Sequence, residues 1–153
     1  MELGHWLCVI TSALGRGLFA GLIGTAAMTA VQLVEMKITG RSPSTAPADA
    51  ALKVLGLAPR GPAERTRFSN LVHVAYGTTW GAVRGLLGIT GLAPWLATLL
   101  HFAVVWGTGL GLLPALGVAP PVREWGAKWI ALDAAYHVVY AVVTGLTYEY
   151  ITR

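Results

Sequence analysis

Six polar side chains stand inside long apolar stretches of this sequence: Gln32, Glu35, His73, His101, Asp133 and His137. An ionisable group in hydrocarbon costs several kcal/mol unless it is paired or wetted, so such residues turn towards a bundle interior and mark a site or a pathway. Neutral imidazole and carboxylate are ordinary ligands for zinc, iron, manganese or copper. Glu35, His73, His101, Asp133 and His137 are therefore candidate metal ligands. His101 and His137, on different helices, are also the candidate axial pair for a haem. The same groups can instead move protons, because histidine titrates near neutral pH and Asp133 and His137, four apart, share one helix face. A third reading is plain stapling. Polar side chains bridge helices in lipid by hydrogen bonds worth about 0.6–2 kcal/mol each, as in an accessory or assembly subunit of a larger membrane complex.

The elements that must position these residues are membrane helices. The chain has 153 residues, 55% of them hydrophobic and only 12% charged, with a mean hydropathy of +0.62. Soluble domains carry about a quarter charged residues, and a soluble chain this small has too little interior to hide so much apolar surface. A helix needs about 20 mostly apolar residues to cross a bilayer. Four stretches meet that length, over 15–36, 68–88, 92–113 and 125–150. The expected fold is thus all-α, a single membrane domain built as a four-helix bundle. Residues 1–14 are apolar but are followed by Gly15-Arg16-Gly17, and read as an interfacial lead-in with no basic region of a signal peptide.

Only one connection is long, 37–67. Within it Ser44-Thr45, then Asp49, then Gly56 supply a cap, an acid in the first turn and a stop, which predict a short amphipathic helix on the membrane surface. The loops after the first and third spans hold Lys37, Arg41, Lys53, Arg60, Arg65, Arg67, Arg123 and Lys128, against Arg16, Arg84 and Arg153 on the other side. Eight against three places those loops in the cytoplasm and both termini outside. The net charge of +4 thus reads as a topology signal and not as a nucleic-acid face. Arg84 and Glu149, at the outer ends of their spans, are expected to snorkel to the interface. Cys8, the single cysteine, reads as a small hydrophobe.

Small residues recur every four positions: Gly17, Gly21 and Thr25; Gly77, Gly81 and Gly85; Gly107 and Gly111; and, on the last span, Asp133, His137, Ala141, Gly145 and Glu149. Such stripes let helix backbones approach in lipid. His73-Val74-Ala75-Tyr76 and His137-Val138-Val139-Tyr140 match, with Gly81 and Gly145 at the same later offset, which leaves a duplicated hairpin open.

Gly21-Leu22-Ile23-Gly24-Thr25-Ala26-Ala27-Met28, Glu35, Gly40-Arg41-Ser42-Pro43-Ser44 and the two His–Tyr segments together resemble the small, mostly uncharacterised bacterial inner-membrane proteins of the YagU-like type. The resemblance implies a multi-pass protein of the bacterial cytoplasmic membrane and supplies no catalytic residues. No GxSxG nucleophile elbow or P-loop is present, so enzymatic activity is left open. The expected partners are the lipid bilayer, further copies of the chain or a larger membrane complex. The function expected is a buried His/carboxylate cluster that binds a transition metal or haem. The alternatives are an accessory subunit and an oligomeric proton or ion carrier.

Overall fold

A computed structural model of the chain describes residues 2–58 and 61–153. It contains five α-helices and, among the described residues, no strand: α1 (Glu2–Thr39), α2 (Ala46–Leu55), α3 (Pro62–Gly88), α4 (Pro94–Ala115) and α5 (Ala127–Thr152), with a 3-10 turn at Val122–Glu124. Three of the helices, over Leu3–Thr39, Pro94–Ala115 and Ala127–Thr152, are long and apolar enough to cross a membrane. They contain the first expected span and match the third and fourth to within two residues at either end. The second expected span lies within α3, which has the length, at 27 residues, but not the apolarity. Glu64, Arg65, Arg67, Asn70, His73 and Arg84 all belong to it.

The first helix begins earlier than expected. Residues 2–14 are not a separate lead-in but the opening turns of α1, which continues through Gly15-Arg16-Gly17 for 38 residues. A glycine within a helix costs only about 1 kcal/mol, and Gly17 is seated against α3, so the chain has no cause to break there. At about 1.5 Å per residue α1 is roughly 57 Å long. The short helix in the long connection forms as the capping signals predict. Gly56 ends it in the left-handed conformation at φ 64°, while Thr45 Oγ1 donates to Asp49 Oδ2 at 2.8 Å rather than to a backbone group. Its alanines Ala48 and Ala50 are buried. Val54, Leu55 and Leu57 remain exposed. Arg65 reaches Asp49 at 2.5 Å, and Lys53 donates to the Leu116 carbonyl at 2.5 Å, so α2 is pinned to the start of α3 and the end of α4. Arg60 lies outside the described residues.

α1 packs along α3 and α5, and α4 closes on α5 and more thinly on α3. The α1–α3 seam is the glycine stripe. A Cβ added at Gly21 would lie 2.7 Å from the Gly81 Cα, one at Gly85 would meet the Ala13 carbonyl, and Gly77 faces Thr25. Gly24 likewise faces Thr144 and the Tyr140 carbonyl on α5, and Gly145 faces Thr98 on α4. These contacts run antiparallel. They gather the start of α1, the end of α3, the start of α4 and the end of α5 at one end of the bundle (the terminal end), opposite the end that carries α2 (the loop end). The stripe expected on α4 does not pack: Gly107 and Gly111 face open space, as does Gly109. The buried face of α4 is instead Ala97, His101 and Val105. Outward, the bundle shows apolar side chains such as Phe19, Leu71, Leu99, Val138 and Leu146, a surface suited to lipid.

Two glycine substitutions separate packing from propensity. Gly81→Ala places a methyl group 2.6 Å from the Gly21 Cα and is expected to cost about 2 kcal/mol or more through overpacking, read as unfolding in mixed micelles. Gly107→Ala, in open space, should leave the same midpoint unchanged or slightly raised.

Candidate functional site

The five candidate ligands do not converge. Glu35 is held at the loop end: Gly40, at φ 71°, reverses the chain so that Arg41 folds back and donates to Glu35 Oε2 through Nε at 3.1 Å and Nη2 at 2.9 Å. Thr39 Oγ1 donates to the other carboxylate oxygen at 3.0 Å. The partner of Glu35 is thus Arg41. Hydrogen bonding to Glu35 pushes the Arg41 pKa above its ordinary value. Arg41 Nη2 also reaches the buried Tyr136 hydroxyl at 3.4 Å, which ties the loop to α5.

Each histidine is engaged separately. Thr29 Oγ1 donates to the Thr25 carbonyl at 2.8 Å, so it accepts from His73 Nε2, 3.0 Å away. His137 Nδ1 lies 2.8 Å from the backbone carbonyl of Asp133 and 3.7 Å from its carboxylate. That carboxylate accepts from Trp106 Nε1 at 2.9 Å. His101 is fully buried. Its Nε2 donates to the Trp80 carbonyl at 3.1 Å, and its ring leans on Tyr140 with centroids 5.4 Å apart. That bond puts the His101 proton on Nε2, so Nδ1 carries a lone pair, and it is buried without a partner. Among the described residues no three His, Cys, Asp or Glu side chains form a group that could hold a metal. His101 has no open face on which a planar macrocycle could lie. Each of the five stands inside an apolar stretch, but rotation about the helix axes aims Glu35, His73 and His101 at different neighbours.

The strongest polar feature was not anticipated. Arg84 does not snorkel: it is fully buried, with Nη2 2.5 Å from Glu149 Oε1 and the guanidinium 4.7 Å from the centre of the Tyr148 ring. A cation over an aromatic face is stabilised by the ring quadrupole, more so when desolvated. The glycines of α3 make this possible. With no side chain at Gly88, the Tyr148 ring lies directly against α3 and its hydroxyl donates to the Gly85 carbonyl at 3.2 Å. Eight residues earlier, Tyr140 does the same to Gly77 at 2.6 Å.

Together Tyr136, Tyr140, Thr144 and Tyr148, all buried, form a row of hydroxyls along one face of α5. The row starts at the Arg41–Glu35 pair, passes His101 and ends at Arg84–Glu149. Its four-residue spacing is visible in the sequence, one position before the stripe His137–Ala141–Gly145–Glu149 that continues from Asp133. Removing one partner of a buried ion pair costs about 3–5 kcal/mol, whereas replacing both can be neutral. Glu149→Gln is therefore expected to lower stability by about 3 kcal/mol, since Glu149 is partly exposed. Arg84→Met added to it should recover most of that loss, measured by tryptophan fluorescence during unfolding. No protein family, no curated protein and no solved structure matches the chain.

Proposed function

We propose that this chain is a multi-pass protein of the bacterial cytoplasmic membrane, with α1, α3, α4 and α5 as four spans, and that it carries protons along the buried face of α5. The observation that carries the reading is the row Tyr136–Tyr140–Thr144–Tyr148, which meets ionisable groups of the other elements at both ends and at His101 between them. Protons hop between hydrogen-bonding groups and need no open bore. The close fit of Gly24 on Thr144, Gly77 on Thr25 and Gly145 on Thr98 leaves no space for a hydrated ion. His101 Nδ1, a buried lone pair without a partner, supplies a relay point in the core.

The four-span count rests on shelter. α3 is the least apolar of the long helices, but its glycine face is covered by α1, Arg84 is neutralised by Glu149 and His73 is bonded to Thr29. Lys37, Arg41, Lys53, Arg65, Arg67, Arg123 and Lys128 lie towards the loop end, so that end is read as cytoplasmic and both termini as outside. The YagU-like likeness belongs to the same reading. A second reading, an accessory subunit or homo-oligomer, is favoured by the open glycines Gly107, Gly109 and Gly111 of α4, beside exposed Leu112 and Val104. Faces of this kind are where a further helix packs in lipid.

The test is proton flux into liposomes after an acid jump, followed with an internal pH dye. The wild-type chain should collapse the gradient. Tyr140→Phe and His101→Leu should each slow it by about tenfold or more, the scale on which a proton-transfer group contributes. Wild-type vesicles no leakier than empty ones would remove the proton reading. Cross-linking of Gly109→Cys in native membranes would then decide for the accessory one.

A further inference from the structure

Arg84 has more donors than the fold satisfies. Its side chain is 1% exposed, one terminal nitrogen is bound to Glu149, and both Nε and Nη1 are buried without a partner. Beside it, at the terminal end of the bundle, a cleft of about 270 Å³ is lined by His5, Ser12, Arg16, Ile89 and Tyr148, among others. Tyr148 joins the two features: its ring is both a wall of the cleft and the platform under the Arg84 guanidinium. The balance of charge is uneven. Among the described side chains, Arg16 lines the cleft and Arg84 lies behind Tyr148, while Glu149 is one-third exposed and held by one hydrogen bond to Arg84.

We propose that this end of the bundle is a binding site for a phosphate-type oxyanion, and that Glu149 occupies the place of that anion when the site is free. Arg16 and the hydroxyl of Ser12 meet the anion in the cleft. Glu149 swings outward to solvent, and the guanidinium of Arg84 turns the vacated Nη2 and the unpartnered Nη1 to two oxygens of the ligand, the planar fork that suits phosphate. Tyr148 keeps the guanidinium oriented during the exchange. Phosphate can arrive on a lipid headgroup, since the terminal end reaches the membrane boundary in the four-span reading, or free in solution. The site itself needs only the ends of α1, α3 and α5 and does not depend on proton movement.

The experiment uses the intact protein in detergent. Thermal stability is measured with inorganic phosphate against chloride at matched ionic strength, and lipid retention is measured by native mass spectrometry with phosphatidylglycerol against diacylglycerol. Glu149→Gln removes the internal competitor, so it should bind phosphate or phosphatidylglycerol about tenfold more tightly than wild type even though it is less stable without them. Arg16→Gln should lose the binding, while Arg153→Gln, an exposed arginine at the same end, should keep it. Response to the lipid alone identifies a headgroup site, and response to inorganic phosphate alone identifies a solute site. No response in Glu149→Gln to either, or an equal response in Arg16→Gln and wild type, overturns the proposal. Liposome flux and phosphate binding are separate readouts, so loss of one leaves the other standing.

Discussion

Where α1 meets α3 the two backbones touch with no side chain between them, and most of the molecule is arranged around that contact. Gly17 and Gly21 on one helix and Gly81 and Gly85 on the other leave no room for a Cβ. The benefit in lipid is dispersion contact over a long seam, since apolar side chains gain nothing from turning away from hydrocarbon. The same glycines serve the opposite side of α3. Gly77 and Gly85 present bare carbonyls that Tyr140 and Tyr148 of α5 can reach. A helix carbonyl keeps a second lone pair after its backbone bond is made, but only an unobstructed one can offer it to a neighbour. One stripe of small residues thus holds α1 by shape and α5 by hydrogen bonds.

The polar residues follow from that geometry. Because α5 is drawn close to α3, Arg84 cannot extend to the surface and is roofed by the Tyr148 ring. A charge so placed is tolerated only with a counter-ion, and Glu149 provides it. The second charged cluster, Glu35 with Arg41 and Tyr136, sits at the opposite end of α5. Between them the core holds neutral groups alone: His101, Tyr140 and Thr144. Charge at the ends and hydroxyl or imidazole in the middle is the least costly way to line a hydrocarbon-embedded seam with polar atoms.

Much of this was legible in the sequence. The all-α class, three of the long apolar helices, the short helix from Thr45 to Gly56 and the pairing value of the α1 and α3 stripes all follow from composition and spacing. What failed was azimuth. Depth along a helix can be counted from residue numbers, but which way a residue faces depends on the neighbour, and Glu35, Asp133 and His101 each found a different one. Arg41, Trp106 and the Trp80 carbonyl satisfied them singly. On α5 two neighbouring phases are used: the row Tyr136–Tyr140–Thr144–Tyr148 supplies buried hydroxyls, while the expected stripe beside it packs Gly145 on Thr98 and pairs Asp133 with Trp106 and Glu149 with Arg84. Arg84 was read from its nearness to a span end, which takes no account of the bare glycines around it. The start of α1 was missed because Gly15-Arg16-Gly17 looks like a break when its packing partner is unknown.

The modest apolarity of α3 has a consequence for how the protein is made. A segment with Asn70, His73 and Arg84 has a weak claim on the bilayer if it leaves the insertion machinery alone, because polar and charged side chains raise the cost of transfer. α1 is synthesised first and is the longest and among the most apolar of the helices. If α3 spans the bilayer as proposed, the connection between them is long enough for it to arrive while α1 is already present, and the matched glycines would let the pair enter as a hairpin. Arg84 must then wait for α5, more than sixty residues later in synthesis, before its charge is balanced. In the proposed four-span arrangement, biogenesis would therefore pass through a stage in which an uncompensated arginine lies in the half-built bundle, and a chain truncated before Glu149 would expose that arginine.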